Sequence, residues 1–427
     1  YKRTADALLQ DLLDAFGAVL IEGPKWCGKT TTASQLANSI LRMQDPSMRE
    51  EYLATAKTKP SILLKGDTPR LIDEWQDAPM LWDAVRTTVD DRQIPGQFIL
   101  TGSNAVDKSQ IHHSGAGRIA RLRMLPMSLW ESQESTGEVS LKELFNNPDY
   151  DIDGKMSKMT VEDLIFAASR GGWPASLLAR TPKAQLLVAK NYVQTICSDD
   201  VSGIDGKKRD AKLTSMILRA YARNVSTLVK KKSLLDDVTS SGEVSCHVDT
   251  FDDYVSALEK LFVIQNISAW CPAIRSKTAI RSSVKRCFCD PSIPIALLGL
   301  SPESLSMQLR TFGFIFEQMC IRDLKAYTID LNSHVSYYHD RYDLEADIVL
   351  HLEDGRYALI ECKLGSGEID EGAKHLLELK RLIQEHNKTE KQVPIREPDL
   401  LIVMTGGTMA YSRPDGVKVI PLACLKD

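Results

Sequence analysis

The chain lacks any apolar run near the roughly 20 residues that a membrane-spanning helix needs, so a membrane protein is not expected. It lacks a basic excess: 53 Lys and Arg stand against 57 Asp and Glu, a net charge of -4. No global positive field announces nucleic acid, and any such surface must be local. It also lacks a cysteine framework. The nine cysteines are odd in number and scattered, and Cys287 with Cys289 is a lone C-x-C with no second pair at zinc-ligand spacing. That excludes a disulfide scaffold and a structural zinc site, and free thiols in a reducing cytoplasm are expected. No internal repeat and no secretory signal are visible. Tyr1 is not preceded by Met, so the natural start is expected upstream. What remains is ordinary globular composition, 43% hydrophobic and 26% charged over 427 residues. That length suits about two to four domains.

Along the chain, "ADALLQDLLDAF" is amphipathic and "AVLIE" is a short strand. A helix is predicted from Thr30, with Ala33, Leu36, Ala37 and Ile40 at helical spacing. "SILLKGD" and "RLIDEW" are predicted strands, "APMLWDAVRTTV" a helix and "GQFILTGSN" a strand. Strands alternating with helices predict an α/β fold with a parallel sheet. A polar stretch, "QESTGEVSLKELFNNPDYDIDGKMSKM", leaves this domain, and residues 160 to about 300 are mostly helical. Three short helices, "DAKLTSMILRAYARN", "KSLLDDV" and "TFDDYVSALEKLF", precede the alternating "VIQNISAW". That order resembles a winged helix. A second α/β pattern starts near residue 301, and "EHNKTEKQVPIREPD" is a polar surface loop.

"GPKWCGKT" fits G-x-x-x-x-G-K-[ST] between a predicted strand and a predicted helix. Gly23 and Gly28 let the backbone curl so that N–H groups face phosphate. The nucleotide-binding set is Gly23, Pro24, Lys25, Trp26, Cys27, Gly28, Lys29, Thr30 and Thr31. Lys29 is expected to reach the β- and γ-phosphates of ATP, and Thr30 to ligate Mg²⁺. "PRLIDEWQ" ends a strand in Asp73, a second Mg²⁺ ligand, and Glu74, which would polarise the attacking water. "FILTGSN" places Thr101 and Ser103 at the next strand end, where a hydroxyl can touch the γ-phosphate or the water.

"LIEGPKWCGKTTTA", "LIDEWQ", "FILTGSN" and "GAGRIARLRMLPMSLWE" together resemble a prokaryotic AAA-type ATPase family. Its members are fused to a C-terminal domain of uncharacterised function with a restriction-endonuclease-like fold. "RGGWPASLLAR" and "VKRCFCDPSI" are similar to landmarks of that family, and the resemblance covers nearly the whole chain. It implies an arginine that completes a neighbouring subunit's site, with Arg118 first and Arg121 and Arg123 as rivals, in a ring or dimer.

The supposed third helix of the winged-helix unit carries Asp252, Asp253 and Glu259 against Lys260, which phosphate would repel. Basic residues follow at Arg275, Lys277, Arg281, Lys285 and Arg286, and others stand at Lys207, Lys208, Arg209 and Lys230–Lys232. Contact with the DNA backbone through these loops is the expectation, against a solvated or subunit-facing surface.

"EADIVLHLEDGRYALIECK" is predicted to be a hairpin turning at Asp354–Gly355. Ile348, Leu350 and Leu352 form one apolar face, and Ala358, Ile360 and Cys362 another. Both reach the same side only if paired numbers have an even sum, through a loop of residues 354–356 or a bulge. Asp347 then pairs with Lys363, and Glu361 is its diagonal neighbour. The apolar face is expected to meet "GAKHLLELKRLI". The grouping is the D…(E)-x-K constellation of the restriction-endonuclease fold. The family pattern implies a second divalent metal held by Asp347 and Glu361, with Glu317 as an upstream acidic residue and Lys363 orienting water and phosphate. A Lys–Asp–Glu salt-bridge cluster in an inactive fold is the alternative.

The predicted domains are an AAA-type ATPase domain (1–135), a helical linker or lid (136–210), a winged-helix-like domain (211–300) and a restriction-endonuclease-like domain (301–427). The expected function is ATP hydrolysis in a protein acting on DNA, as a helicase or branch-migration motor. Two alternatives stand beside it: a nucleotide-dependent switch for a protein partner, and an ATP-gated metal-dependent nuclease.

Overall fold

The computed structural model describes residues 1–103, 113–240, 242, 244–270, 272, 283–389 and 394–427. Strands β1 (Ala18–Glu22), β2 (Ser39–Arg42), β3 (Arg70–Asp73), β4 (Phe98–Gly102) and β5 (Ile119–Arg123) make a parallel sheet in the order β2-β3-β4-β1-β5. Alternation decides which side each residue fills. Val19, Ile21, Leu71 and Ile99 pack with Leu9 and Leu13 of α1 (Ala5–Ala15) and Ala33 of α2 (Lys29–Leu36). Ala18, Leu20, Ile72, Phe98 and Leu100 pack on the other side with Leu81, Trp82 and Val85 of the Met80–Arg92 helix. Both faces are dry, as the near-continuous apolar strands require.

Two predicted elements move. The helix from Thr30 stops at Leu36, and Ile40 lies in β2. Asn38 N–H donates to Pro69 O and the Asn38 amide to Thr68 O, and these bonds start the pairing of β2 with β3. "SILLKGD" is no strand: Pro60–Ile62 is a single 3₁₀ turn, and Ile62 is exposed. A helix at Arg49–Thr58 was not predicted.

The polar stretch from Gln133 joins no strand of the first sheet and packs on the end of the chain. Val139–Ser140 (β6) pairs with Leu425–Lys426 at the chain end, and Ser140 caps the helix Leu141–Asn146. Helices Ala211–Arg223, Lys231–Thr239 and Val248–Lys260 lie where three were predicted. "VIQNISAW" makes only isolated bridges, Ile264 with Phe288, Ile267 with Lys285, and Ala269 with Tyr337.

In the C-terminal part, β7 (His334–His339), β8 (Glu345–His351), β9 (Tyr357–Lys363), β10 (Leu400–Thr405), β11 (Tyr411–Ser412) and β12 (Lys418–Pro421) form a mixed sheet ordered β11-β12-β10-β9-β8-β7. The even-numbered face of the hairpin, Ile348, Leu350, Ala358 and Ile360, packs with Phe312, Phe316 and Met319 of the Leu309–Tyr327 helix. The predicted partner, within Ile369–Thr389, instead covers Val349, Tyr357 and Leu359 on the odd face. Both faces are buried, so alternation alone cannot assign which helix takes which. The Ile369–Thr389 helix also runs into the segment predicted as a polar loop.

The two landmark stretches meet in one buried joint. Asp290 accepts from Gly172 N–H (2.9 Å) and from Ser292 N–H and Oγ, and pairs with Arg322 (3.2 Å). Arg322 also holds Asp323, which accepts from Leu129 N–H. A Cβ on Gly172 would stand 2.2 Å from Met127 O, so only glycine fits that approach. Among the described residues no helix is long and apolar enough to cross a membrane.

Candidate phosphate-loop and carboxylate sites

The turn from β1 to α2 needs its glycines. A Cβ on Gly23 would meet Met124 O at 2.3 Å, and Gly28 has φ 101°. The Lys29 ammonium is buried inside the loop and donates to Gly23 O (3.0 Å) and Pro24 O (2.9 Å). Thr30 Oγ1 donates to Asp73 Oδ1 at 2.7 Å, and Thr101 Oγ1 donates to the same oxygen at 2.6 Å. Ser103 Oγ donates to Glu74 Oε1 at 3.0 Å, and the Gln76 amide donates to Glu74 Oε2. The two neighbouring carboxylates thus have different holders. Asp73 is fixed beside the loop threonine, while Glu74, with φ 55°, is turned onto the next strand end. Thr101 is fully buried and its hydroxyl holds Asp73.

Other loop residues are anchored from outside. Arg3 donates to Cys27 O (2.7 Å) and pairs with buried Glu131 (2.9 Å). Lys25 pairs with Asp200 (2.5 Å), and the Trp26 ring lies 5.4 Å from that of Tyr192. Thr31 is exposed. The middle helices therefore grip the tip of the phosphate loop, a link that no local motif announced. Arg118 pairs with Asp90 of its own chain (2.7 Å), Arg121 with Glu22 (3.4 Å), and Arg123 lies over the Phe262 ring (4.7 Å).

At the hairpin, Ile348 pairs with Ile360 and Leu350 with Ala358, an even sum. Leu352 N–H donates to Arg356 O, so the loop is residues 353–355, with Gly355 at φ 86°. The predicted odd-length loop is present but shifted by one position. Continuing that register sets Asp347 opposite Glu361, with Lys363 diagonal, reversing the predicted pairing. One ligand oxygen each from Glu345, Asp347 and Glu361 lie within 4.8 Å of one another. Lys363 Nζ is 3.0 Å from Glu361 Oε2, and Asp347 Oδ2 accepts from Cys362 N–H.

Glu361 is fully buried; its Oε2 has the Lys363 ammonium at 3.0 Å, while Oε1 has no hydrogen-bonding donor among the described residues. His375 Nδ1, 3.7 Å from Glu361 Oε1, is likewise buried without a hydrogen-bond partner. Burial, and then the charge of Asp347, push the Glu361 carboxyl up to about 9. A buried carboxylate with one oxygen lacking a donor, beside two more acids, is a hard-oxygen donor set that suits a divalent cation. Glu317 stands apart from this trio. Its carboxylate is taken by the Lys285 ammonium, which also donates to Asp347 O (2.9 Å) and lies 3.7 Å from Asp347 Oδ1.

Residues 15–133 match the family model of a AAA domain. The chain carries a AAA-type P-loop ATPase domain. Residues 161–304 and 312–425 match two domains of unknown function, DUF8612 and DUF4143. Two mycobacterial relatives, the uncharacterized proteins Rv2008c of Mycobacterium tuberculosis and Mb2031c of Mycobacterium bovis, are each 24% identical over 366 residues, 83% of this chain and 72% of theirs. Among solved structures, a Walker-type ATPase of Pyrococcus abyssi is similar over 69% of this chain and 94% of its own, at 12% identity and a TM-score of 0.40. A RuvB mutant of Thermotoga maritima is similar over 61% and 87%, at 18% identity and a TM-score of 0.25. Both likenesses are too loose to bear on function.

Outside the ATPase domain, three of the basic residues expected to contact DNA are buried. Lys285 is buried in the carboxylate site. Arg286 is buried and donates to Val229 O and Tyr221 Oη. Arg209 is buried between Asp205 and Asp253. Lys207 and Lys231 pair with Asp253 and Asp252, which explains the acidic helix: its carboxylates hold neighbouring loops. Lys208, Lys230 and Lys232 are exposed, while Arg275, Lys277 and Arg281 lie outside the described residues. Sequence reasoning missed Glu345 and His375 altogether, although Glu345 shares a strand face with Asp347.

Proposed function

We propose that the ATPase domain hydrolyses ATP and that its nucleotide state drives action on DNA through the rest of the chain. The observation carrying the hydrolytic part is the split of the two acids, with Asp73 tied to Thr30 and Thr101 and Glu74 tied to Ser103. Gly23 and Gly28 shape the cradle, Lys29 stands inside it, and Thr30 with Asp73 offers the oxygen pair that would hold Mg²⁺. The ion, when bound, neutralises phosphate charge. Glu74 is then the base or water-orienting group. The DNA part rests on the family resemblance, and so do the winged-helix reading and the ring or dimer in which Arg118 completes a neighbour's site. Lys29→Ala tests the core of the proposal. ATP binding by calorimetry is expected to weaken by at least about tenfold, with hydrolysis lost. Unchanged ATP affinity would overturn it. Stimulation of hydrolysis by single-stranded, duplex or branched DNA separates a motor from a switch for a protein partner.

A second reading concerns the C-terminal part, a metal-dependent nuclease of restriction-endonuclease-like fold. The clustering of Glu345, Asp347 and Glu361, with Glu361 Oε1 lacking a donor, favours it. Glu345, Asp347 and Glu361 would hold the ion, and Lys363, having no lone pair when charged, would stand beside it and orient phosphate. Nicking of plasmid DNA is expected to need Mg²⁺ or Mn²⁺ and to vanish in Asp347→Ala while ATP hydrolysis survives. Nicking that persists in Asp347→Ala would remove the site from the reaction.

A further inference from the structure

A cleft of about 750 Å³ opens where β5, the Val248–Lys260 helix and the end of the Leu309–Tyr327 helix meet. Five cations line it, and Lys231 and Arg286 are already held, by Asp252 and by Val229 O with Tyr221 Oη. Arg121 already has Glu22. Arg123 has the Phe262 ring but no carboxylate within ion-pairing distance among the described residues. Lys325, half-buried, has no hydrogen bond or ion pair there at all. The acids on the same walls are otherwise engaged: Asp252 holds Lys231, and Glu259 accepts from Asn266. Residues 273–282, next in sequence to the cleft wall, contain no Asp or Glu.

An unpaired cation in such a place is costly, and a second one nearby raises the cost. Desolvation holds the Lys325 ammonium below its ordinary value, and the charge of Arg123 acts in the same direction. Desolvation also lowers Arg123. Lys325 stands in the last turn of its helix, where a cation suits the C-terminal end, and a methionine would fill its space without the charge. Among polar side chains such as Gln265 and Thr328, the wall also offers partly open apolar ones at Leu8, Val255 and Ile329.

We infer that this cleft binds a phosphorylated small molecule of nucleotide size, its phosphates between Arg123 and Lys325 and its less polar body against Leu8, Val255 and Ile329. The volume lies within the range of about 300 to 1,000 Å³ usual for small-ligand sites, and it is too confined for a duplex. Arg123 sits opposite Glu22 in the sheet, and Glu22 precedes Gly23. An occupant of the cleft therefore touches the strand paired with the one that leads into the phosphate loop, in the right place to modulate the ATPase domain.

The test uses the full chain carrying Lys29→Ala, so that the phosphate loop does not compete and the result stands apart from the proposed hydrolysis. Inorganic tripolyphosphate is the probe, followed by calorimetry and by thermal unfolding. One site is expected. Adding Lys325→Met or Arg123→Gln is expected to weaken it by about tenfold or more. Lys325→Met is also expected to raise the Tm of the ligand-free protein, because an unpaired half-buried cation gives way to an apolar side chain of similar size. A purely structural lysine would give the opposite sign. Arg123→Gln changes an exposed side chain and reads the binding independently of Lys325→Met. Absence of tripolyphosphate binding would overturn the inference. So would equal binding by both variants, a lowered Tm in Lys325→Met, or binding of an octamer of oligothymidylate alone.

Discussion

Glu74→Gln is expected to lower the maximal rate of ATP hydrolysis by about 100- to 10,000-fold while ATP affinity stays near that of the parent chain. The substitution keeps the shape of the side chain and its acceptor oxygen toward Ser103 Oγ, and it removes the charge that orients and deprotonates water. Asp73 keeps its hydrogen bonds from Thr30 and Thr101, so the Mg²⁺-holding pair is undisturbed. Single-turnover kinetics with calorimetry separate the two quantities. A variant that hydrolyses ATP at the parent rate would remove Glu74 from its role. Loss of affinity with an unchanged rate would make it a binding residue.

The ATPase domain was the most legible part of the sequence, because its determinants are local. Gly23, Gly28 and Lys29 lie within one turn, and the apolar strands before Asp73 and Thr101 announce their own ends. Its edge was harder. Ile40 fits helical spacing, yet the Asn38 amide and N–H switch the backbone to a strand two residues after Leu36. The hairpin was legible in parity but not in register. An even sum follows from the apolar faces alone, whereas a shift by two satisfies the same condition, and only the loop at residues 353–355 decides that Glu361 faces Asp347. The middle region was least legible. Lys285 and Arg286 stand in a basic run that looks solvated, and their burial depends on partners far along the chain, Glu317, Asp347, Tyr221 and Val229. No window of sequence brings those together.

Lys285 consequently gives a large expected effect, on stability in place of the once-expected DNA affinity. Its ammonium is buried against Glu317 and the backbone of Asp347, under the Tyr337 ring (5.6 Å). Lys285→Ala leaves the buried Glu317 carboxylate without its cation and is expected to destabilise the fold by about 3–5 kcal/mol near pH 8. Replacing both partners by apolar groups of similar size, Lys285→Met with Glu317→Leu, is expected to restore most of that loss, since neither charge then needs solvating. The sign with pH follows from Glu317. Burial already raises its carboxyl to about 8 even with Lys285 opposing the shift, against an ordinary value of 4.5. Without Lys285 it rises further. A carboxyl whose folded value exceeds its unfolded one binds more protons when folded, so its contribution falls as pH rises from the unfolded value toward the folded one. The parent's Glu317 follows the same trend up to about pH 8, so the deficit of Lys285→Ala is expected to stay level from pH 5 to pH 7 and to grow above about pH 8, where the parent carboxyl ionises and the variant's does not; urea unfolding at pH 7 and at pH 9.5 measures it. A deficit independent of pH would mean that Glu317 finds another cation when Lys285 is gone, and the Glu345, Asp347 and Glu361 trio would then have no built-in counter-charge from the middle region.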